Sequence, residues 1–144
     1  MKEYKFYGWQ TANVMPIAQR YQAVGTPRDL YDLMTDIWCE YSCAPRYRAQ
    51  WSEENRTLGQ CSITAFLVQD IYGGKVYGVP LEDGAFHCYN VVGDCVFDLT
   101  SEQFGDKVLR YTDNPEQLRE VQLAPQEKRQ RYLYLVARLQ EKLK

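Results

Sequence analysis

The segment from Cys61 to Tyr72 constrains this chain most. Ile63, Ala65, Phe66, Leu67, Val68 and Ile71 surround most of a helical cylinder, and Ser62 and Gln69 leave only a narrow polar stripe. A helix that is apolar nearly all round must be covered on nearly every side, so the rest of the chain is expected to wrap it. Gly73-Gly74 ends it.

The remaining elements follow from local signals. Thr26 is a good N-cap, Pro27 suits the first helical position and Asp29 the first turn. Leu30, Leu33, Met34, Ile37, Trp38 and Tyr41 then recur at helical spacing and predict one helix running through them to a stop before Pro45. Residues 1–25 have weak periodicity and read as mostly irregular, and 46–59 read as a polar loop. Three strands are expected over Lys75 to Leu81, Ala85 to Val92 and Cys95 to Leu99, with Gly93-Asp94 as the turn of a tight hairpin. Thr100 is expected to cap a short turn from Ser101 to Phe104. A further strand is expected near Val108 to Tyr111, a short helix from Asn114-Pro115, and a long helix opened by Pro125. In that last helix Tyr132, Leu135, Val136, Leu139 and Leu143 form the packing face. The order helix, helix, antiparallel strands, helix reads as α+β, and 1–144 reads as one domain without repeats or a linker.

Composition narrows the function classes. The net charge is −2 and no basic stripe stands out, which argues against nucleic acid. No stretch approaches a membrane span, and the first ten residues lack the apolar core of an export signal. A cytoplasmic location is therefore expected, with the five cysteines reduced. Cys39 and Cys43 are four apart and could chelate a metal with His87 and Cys88. No second ligand pair has matching spacing, so no metal and no other cofactor is expected.

One histidine, His87, is present, and any Cys-His mechanism must use it. If Gly93 and Asp94 form the turn, Val92 faces Cys95, Val91 faces Val96 and Asn90 faces Phe97. His87, Tyr89 and Val91 then share a face with Val96, Asp98 and Thr100. His87 and Asp98 become diagonal neighbours, about 7–8 Å apart at the backbone and bridgeable by side chains. Cys88 and Asn90 point to the opposite face. Among the cysteines, only Cys61 sits where a helix should begin, and free N–H groups there favour a thiolate and an oxyanion. Gly59 lets the chain approach a substrate closely. Cys61 is thus the expected nucleophile, His87 its base and Asp98 the group that orients that base. Gln60 could donate to the oxyanion or hydrogen-bond the preceding loop. Trp51 could be a packing anchor or a substrate platform. Tyr89 could line the cleft or fill the core.

These residues also carry a resemblance. Gly59-Gln60-Cys61, Phe86-His87-Cys88-Tyr89-Asn90 and Phe97-Asp98-Leu99-Thr100 are similar to the motifs of transglutaminase-like proteins, in the same order. The stretch from Trp51 to Phe104 more closely resembles the YunG-like family of small bacterial proteins. The matches include Trp51, Ser52, Glu54, Asn55, Thr64, Ala65, Gly73, Gly74, Gln103 and Phe104. The resemblance implies a papain-like or transglutaminase-like fold: a central Cys-bearing helix on a small antiparallel sheet, with additional N- and C-terminal helices. It implies thiol-dependent acyl transfer on a peptide or protein amide, as an amide hydrolase, peptidase or deamidase. A non-catalytic protein-binding module that retains the fold is the alternative.

Overall fold

The central helix forms as its apolar pattern requires. In the computed structural model, which describes residues 2–144, helix α2 spans Cys61–Tyr72 and buries Ile63 to Val68, Ile71 and Tyr72. Helix α1 (Pro27–Met34) starts at Thr26, whose hydroxyl accepts from the Asp29 N–H while the Asp29 carboxylate accepts from the Thr26 N–H. Strands β1 (Lys75–Pro80), β2 (Phe86–Val92) and β3 (Cys95–Phe97) form an antiparallel sheet in the order β1-β2-β3. A four-residue helix, α3 (Arg119–Gln122), and a long one, α4 (Gln126–Lys142), complete the α+β arrangement.

The sheet lays one face on α2. Val76, Cys88, Val92 and Phe97 join a large buried cluster with Phe66, Leu67, Ile71, Leu135 and Leu139. Asn90 on this face donates from Nδ2 to the Ala65 carbonyl at 2.9 Å, tying β2 to the helix backbone. The other face carries a smaller buried set of Val79, Tyr89, Leu109 and Tyr111. The hairpin register is Val92 with Cys95, Val91 with Val96 and Asn90 with Phe97. Pairing stops there; the Asp98 N–H donates instead to the Tyr7 carbonyl, at 3.0 Å.

Several expectations fail for identifiable reasons. The first helix ends at Met34, not Tyr41. Arg56 Nη1 takes the Thr35 carbonyl at 3.0 Å, and the chain turns so that buried Trp38 can donate to Thr64 Oγ1 on α2. Tyr41 ends up exposed, and Cys39 and Cys43 lie on a turn rather than on that helix. Val108 to Tyr111 is not a strand; Leu109 and Tyr111 instead pack against the outer face of the sheet. No helix starts at Asn114-Pro115. The open edge of β1 captures the segment: the Gly78 N–H donates to the Pro115 carbonyl and the Gln117 N–H to the Val76 carbonyl.

The first 25 residues hold 3-10 turns at Trp9–Thr11 and Gln19–Val24 and bury Phe6, Ala12, Tyr21 and Val24. Gly8 lets this arm cross β3: it adopts φ 81°, and a Cβ there would meet the Val96 carbonyl oxygen at 2.1 Å. Residues 45–50 of the expected polar loop form a further 3-10 turn, Pro45–Gln50. No helix is long and apolar enough to cross a membrane among the described residues.

Candidate functional site

Asp98 is the most heavily hydrogen-bonded side chain of the site. Its Oδ2 lies 2.6 Å from His87 Nε2 and accepts from the Tyr111 hydroxyl at 2.7 Å. Its Oδ1 accepts from the Thr100 N–H at 3.1 Å and the Thr100 hydroxyl at 3.3 Å. His87 and Asp98 side chains are each only 1% exposed. A buried carboxylate with this many donors is held rigidly, and so is the imidazole it faces. The Phe104 ring packs edge-on against that imidazole, with centroids 4.7 Å apart.

With Nε2 committed to Asp98, Nδ1 is the ring nitrogen left for a second partner. Cys61 and His87 line one cleft of about 450 Å³. Cys61 is the first residue of α2, and the Gln60 side chain does not cap that helix. The N-terminal N–H groups of α2 therefore remain the natural partners for negative charge at the thiol.

The electrostatics favour a charged pair. The Cys88 thiol holds the Cys61 thiol well below its ordinary range; burial opposes this, and the His87 imidazolium adds to the lowering. Burial pulls His87 down, yet the Asp98 carboxylate and the Cys61 thiolate outweigh it and raise His87 from 6.5 to about 10. Cys88 moves the other way, well above its ordinary value, because it donates toward the Cys61 thiolate and is buried. Proton transfer from Cys61 to His87 in the resting protein satisfies both shifts.

The other sequence candidates lie elsewhere. Gln60 is fully buried and donates from Nε2 to the Cys39 carbonyl at 3.1 Å, so its donor faces the interior rather than the cleft. Trp51 donates from Nε1 to the Arg56 carbonyl at 2.9 Å and fixes its own loop. It does not line the cleft, and neither does Tyr89. Tyr89 is buried beside Tyr111, and its hydroxyl accepts from Asn114 Nδ2. Gly59 does line the cleft, but the close approach that its missing Cβ permits is to Cys43 and Ala44, where a Cβ would meet Cys43 Sγ at 2.5 Å. Among the described residues no three His, Cys, Asp or Glu side chains form a metal-holding group.

Three contributors escaped the sequence reading. Phe104 reaches the His87–Asp98 pair from the expected short turn, Ser101–Phe104, and Tyr111 from a loop segment whose path no local pattern encodes. Cys88 did carry a signal: it faces α2 in the hairpin register, and Cys61 opens α2.

Comparison with known proteins places these features in a family. No solved structure matches the chain. The "Uncharacterized protein YunG" of Bacillus subtilis (strain 168) is 33% identical over 72 residues, which is 50% of this chain and 57% of that protein. The match thus spans less than two thirds of that relative's length. The YunG protein family model matches residues 26–144, a span that contains Cys61, His87 and Asp98. The chain belongs to the YunG family.

Proposed function

We propose that this protein is a thiol-dependent acyl-transfer enzyme acting on an amide, with a Cys61–His87–Asp98 triad on a papain-like or transglutaminase-like arrangement. One observation carries the reading: His87 sits 2.6 Å from Asp98 through Nε2 while sharing a cleft with a cysteine at a helix N-terminus. The Cys61 thiolate attacks the amide carbonyl carbon, a C–S bond forms and the carbonyl electron pair moves onto oxygen. The N-terminal N–H groups of α2 are the available donors for that oxyanion. Collapse breaks the C–N bond, and the leaving amine takes its proton from the His87 imidazolium. A water molecule, deprotonated by His87, then hydrolyses the thioester and regenerates the thiol pair. No metal or organic cofactor enters these steps. A peptide, a protein amide or a glutamine side chain fits this chemistry.

The competing reading is a non-catalytic protein-binding module. It is favoured by the four donors on buried Asp98, which would suit a purely structural polar pin. The pH dependence of iodoacetamide alkylation, with the modified cysteine identified by mass spectrometry, separates the two. In the enzyme, Cys61 reacts selectively below pH 7. His87→Ala then slows alkylation at pH 6 several-fold or more, because the imidazolium's share of the Cys61 lowering is lost and an ordinary thiol with pKa about 8.5 is almost wholly protonated there. Reaction of Cys61 that rises only near pH 8.5 and ignores His87→Ala rules the triad out.

A further inference from the structure

The cleft at Cys61 has a one-sided charge. Arg46, Lys128 and Arg131 line it together with His87, and no Asp or Glu does, although the whole chain carries a net charge of −2. Two of these cations are already paired. Arg46 lies 3.7 Å from Asp83, and Arg131 lies 2.8 Å from Glu127 while donating to the Ser42 carbonyl. Lys128 takes part in no ion pair among the described residues.

Its position is nevertheless built. Lys128 Nζ donates to Gln122 Oε1 at 2.6 Å, and Gln122 Nε2 donates to Gln117 Oε1 at 2.8 Å. Buried Gln117 is anchored in turn to the edge of β1 through its backbone N–H. A chain of neutral amides therefore fixes an ammonium at the cleft without neutralising it. Burial lowers the Lys128 pKa, against the pull of the neighbouring Cys88 and Cys61 sulfurs. A partly desolvated cation with no carboxylate partner, facing only the thiolate of the cleft, gains from an incoming anion. A cleft of about 450 Å³ accommodates one short side chain or a small acid.

We propose that the amide substrate of this cleft carries a carboxylate close to the scissile carbonyl and that Lys128 is its charge partner. This rests on the reading of Cys61 as the nucleophile, and it names the substrate class: an acidic peptide segment or a small N-acyl acid. Lys128 is here a specificity residue that touches substrate. It takes no part in bond making.

The test compares two alkylating agents that differ by one charge. Iodoacetate and iodoacetamide both lose iodide to the Cys61 thiolate, so the ratio of their rates cancels the thiolate fraction. The ratio is measured on the full chain at pH 8, where even an ordinary thiol is partly ionised. It is therefore readable whichever way the pH profile of Cys61 falls. Lys128→Gln is expected to lower the iodoacetate-to-iodoacetamide ratio at Cys61 about threefold, and Lys128→Glu about tenfold. Lys128→Arg is expected to keep it, and Lys107→Gln, at an exposed site, to leave it unchanged. The effect should shrink in high salt.

Two anions then distinguish the source of the carboxylate. N-acetyl-glutamate α-amide offers a side-chain carboxylate and N-acetyl-glycine a terminal one. Protection of Cys61 from iodoacetamide by either, lost in Lys128→Gln, supports the proposal and identifies which kind the site takes. An unchanged ratio in both Lys128→Gln and Lys128→Glu overturns it. So does a fall of both rates by the same factor, which would mean that Lys128 serves only the thiolate.

Discussion

On the α2 side of the sheet, Val76, Cys88, Val92 and Phe97 pack into a cluster that reaches from Phe6 to Leu139. On the outer side the buried apolar set is only Val79, Tyr89, Leu109 and Tyr111, and buried His87 and Asp98 share that layer. The first face is wide, apolar and tolerant of small shifts. The second is narrow, and four directional hydrogen bonds on one carboxylate fix its geometry. Burial of apolar area supplies most of the stability of a domain, whereas positioned polar groups supply its chemistry. Cys61 stands at the junction: it opens the helix of the first face and lines one cleft with the imidazole of the second.

Substitutions that strike one face at a time can break this contrast. Phe66→Ala empties a fully buried ring site on the α2 side and should lower unfolding free energy by about 3–5 kcal/mol in urea titrations. A loss below 1 kcal/mol would mean that the apolar face is not the main support. Asp98→Asn strikes the other face. It removes the charge that raises His87, so low-pH alkylation of Cys61 should slow about tenfold at pH 6. An unaltered rate would show that Asp98 orients nothing.

The pH dependence of stability sharpens the same point. His87, raised from 6.5 to about 10, contributes stability that is present below pH 6.5 and lost as pH rises toward 10. Cys61, lowered from 9.0, contributes stability that is present above pH 9 and lost as pH falls. Between pH 6.5 and 9 the unfolded chain holds one proton on sulfur and the folded chain holds one on imidazole. The two slopes cancel there, so the urea midpoint should be flat across that window. In Cys61→Ser His87 loses the thiolate's share of its shift and keeps that of Asp98, so the midpoint should fall as pH rises above 6.5, over a range that ends short of pH 10. A flat profile in that variant would mean that Asp98 alone does not hold the imidazole charged.

Tyr111→Phe should have the smallest effect, about 1 kcal/mol, because it deletes one of four hydrogen bonds on Asp98 and keeps the ring. The stack of that ring on Tyr7, with centroids 3.9 Å apart, gives it a second support. A loss comparable to that of Phe66→Ala would instead make the hydroxyl the keystone of the outer face.

Much of the site was legible because its parts are local. The N-terminus of α2 follows from an apolar pattern that begins at Cys61. The shared face of His87 and Asp98 follows from one two-residue turn and strict alternation. The failures are non-local. The Leu30-to-Tyr41 periodicity was real, and Leu30, Met34, Ile37 and Trp38 are all buried, but Arg56 and Thr64 on later segments end the helix early. Asn114-Pro115 carries a helix-start signal, and nothing near it reveals that the β1 edge needs partners.

The central helix, the hairpin register and the three residue types that could do thiol chemistry are written into the chain locally, since they depend on spacings within one or two adjacent elements. Long-range packing was needed to bring the Tyr111 hydroxyl to Asp98, to turn Gln60 and Tyr89 toward the interior and to bring Lys128 to the cleft without a carboxylate partner. Those outcomes depend on which distant segments cover a given surface, and that is settled by the burial of whole faces rather than by any local preference.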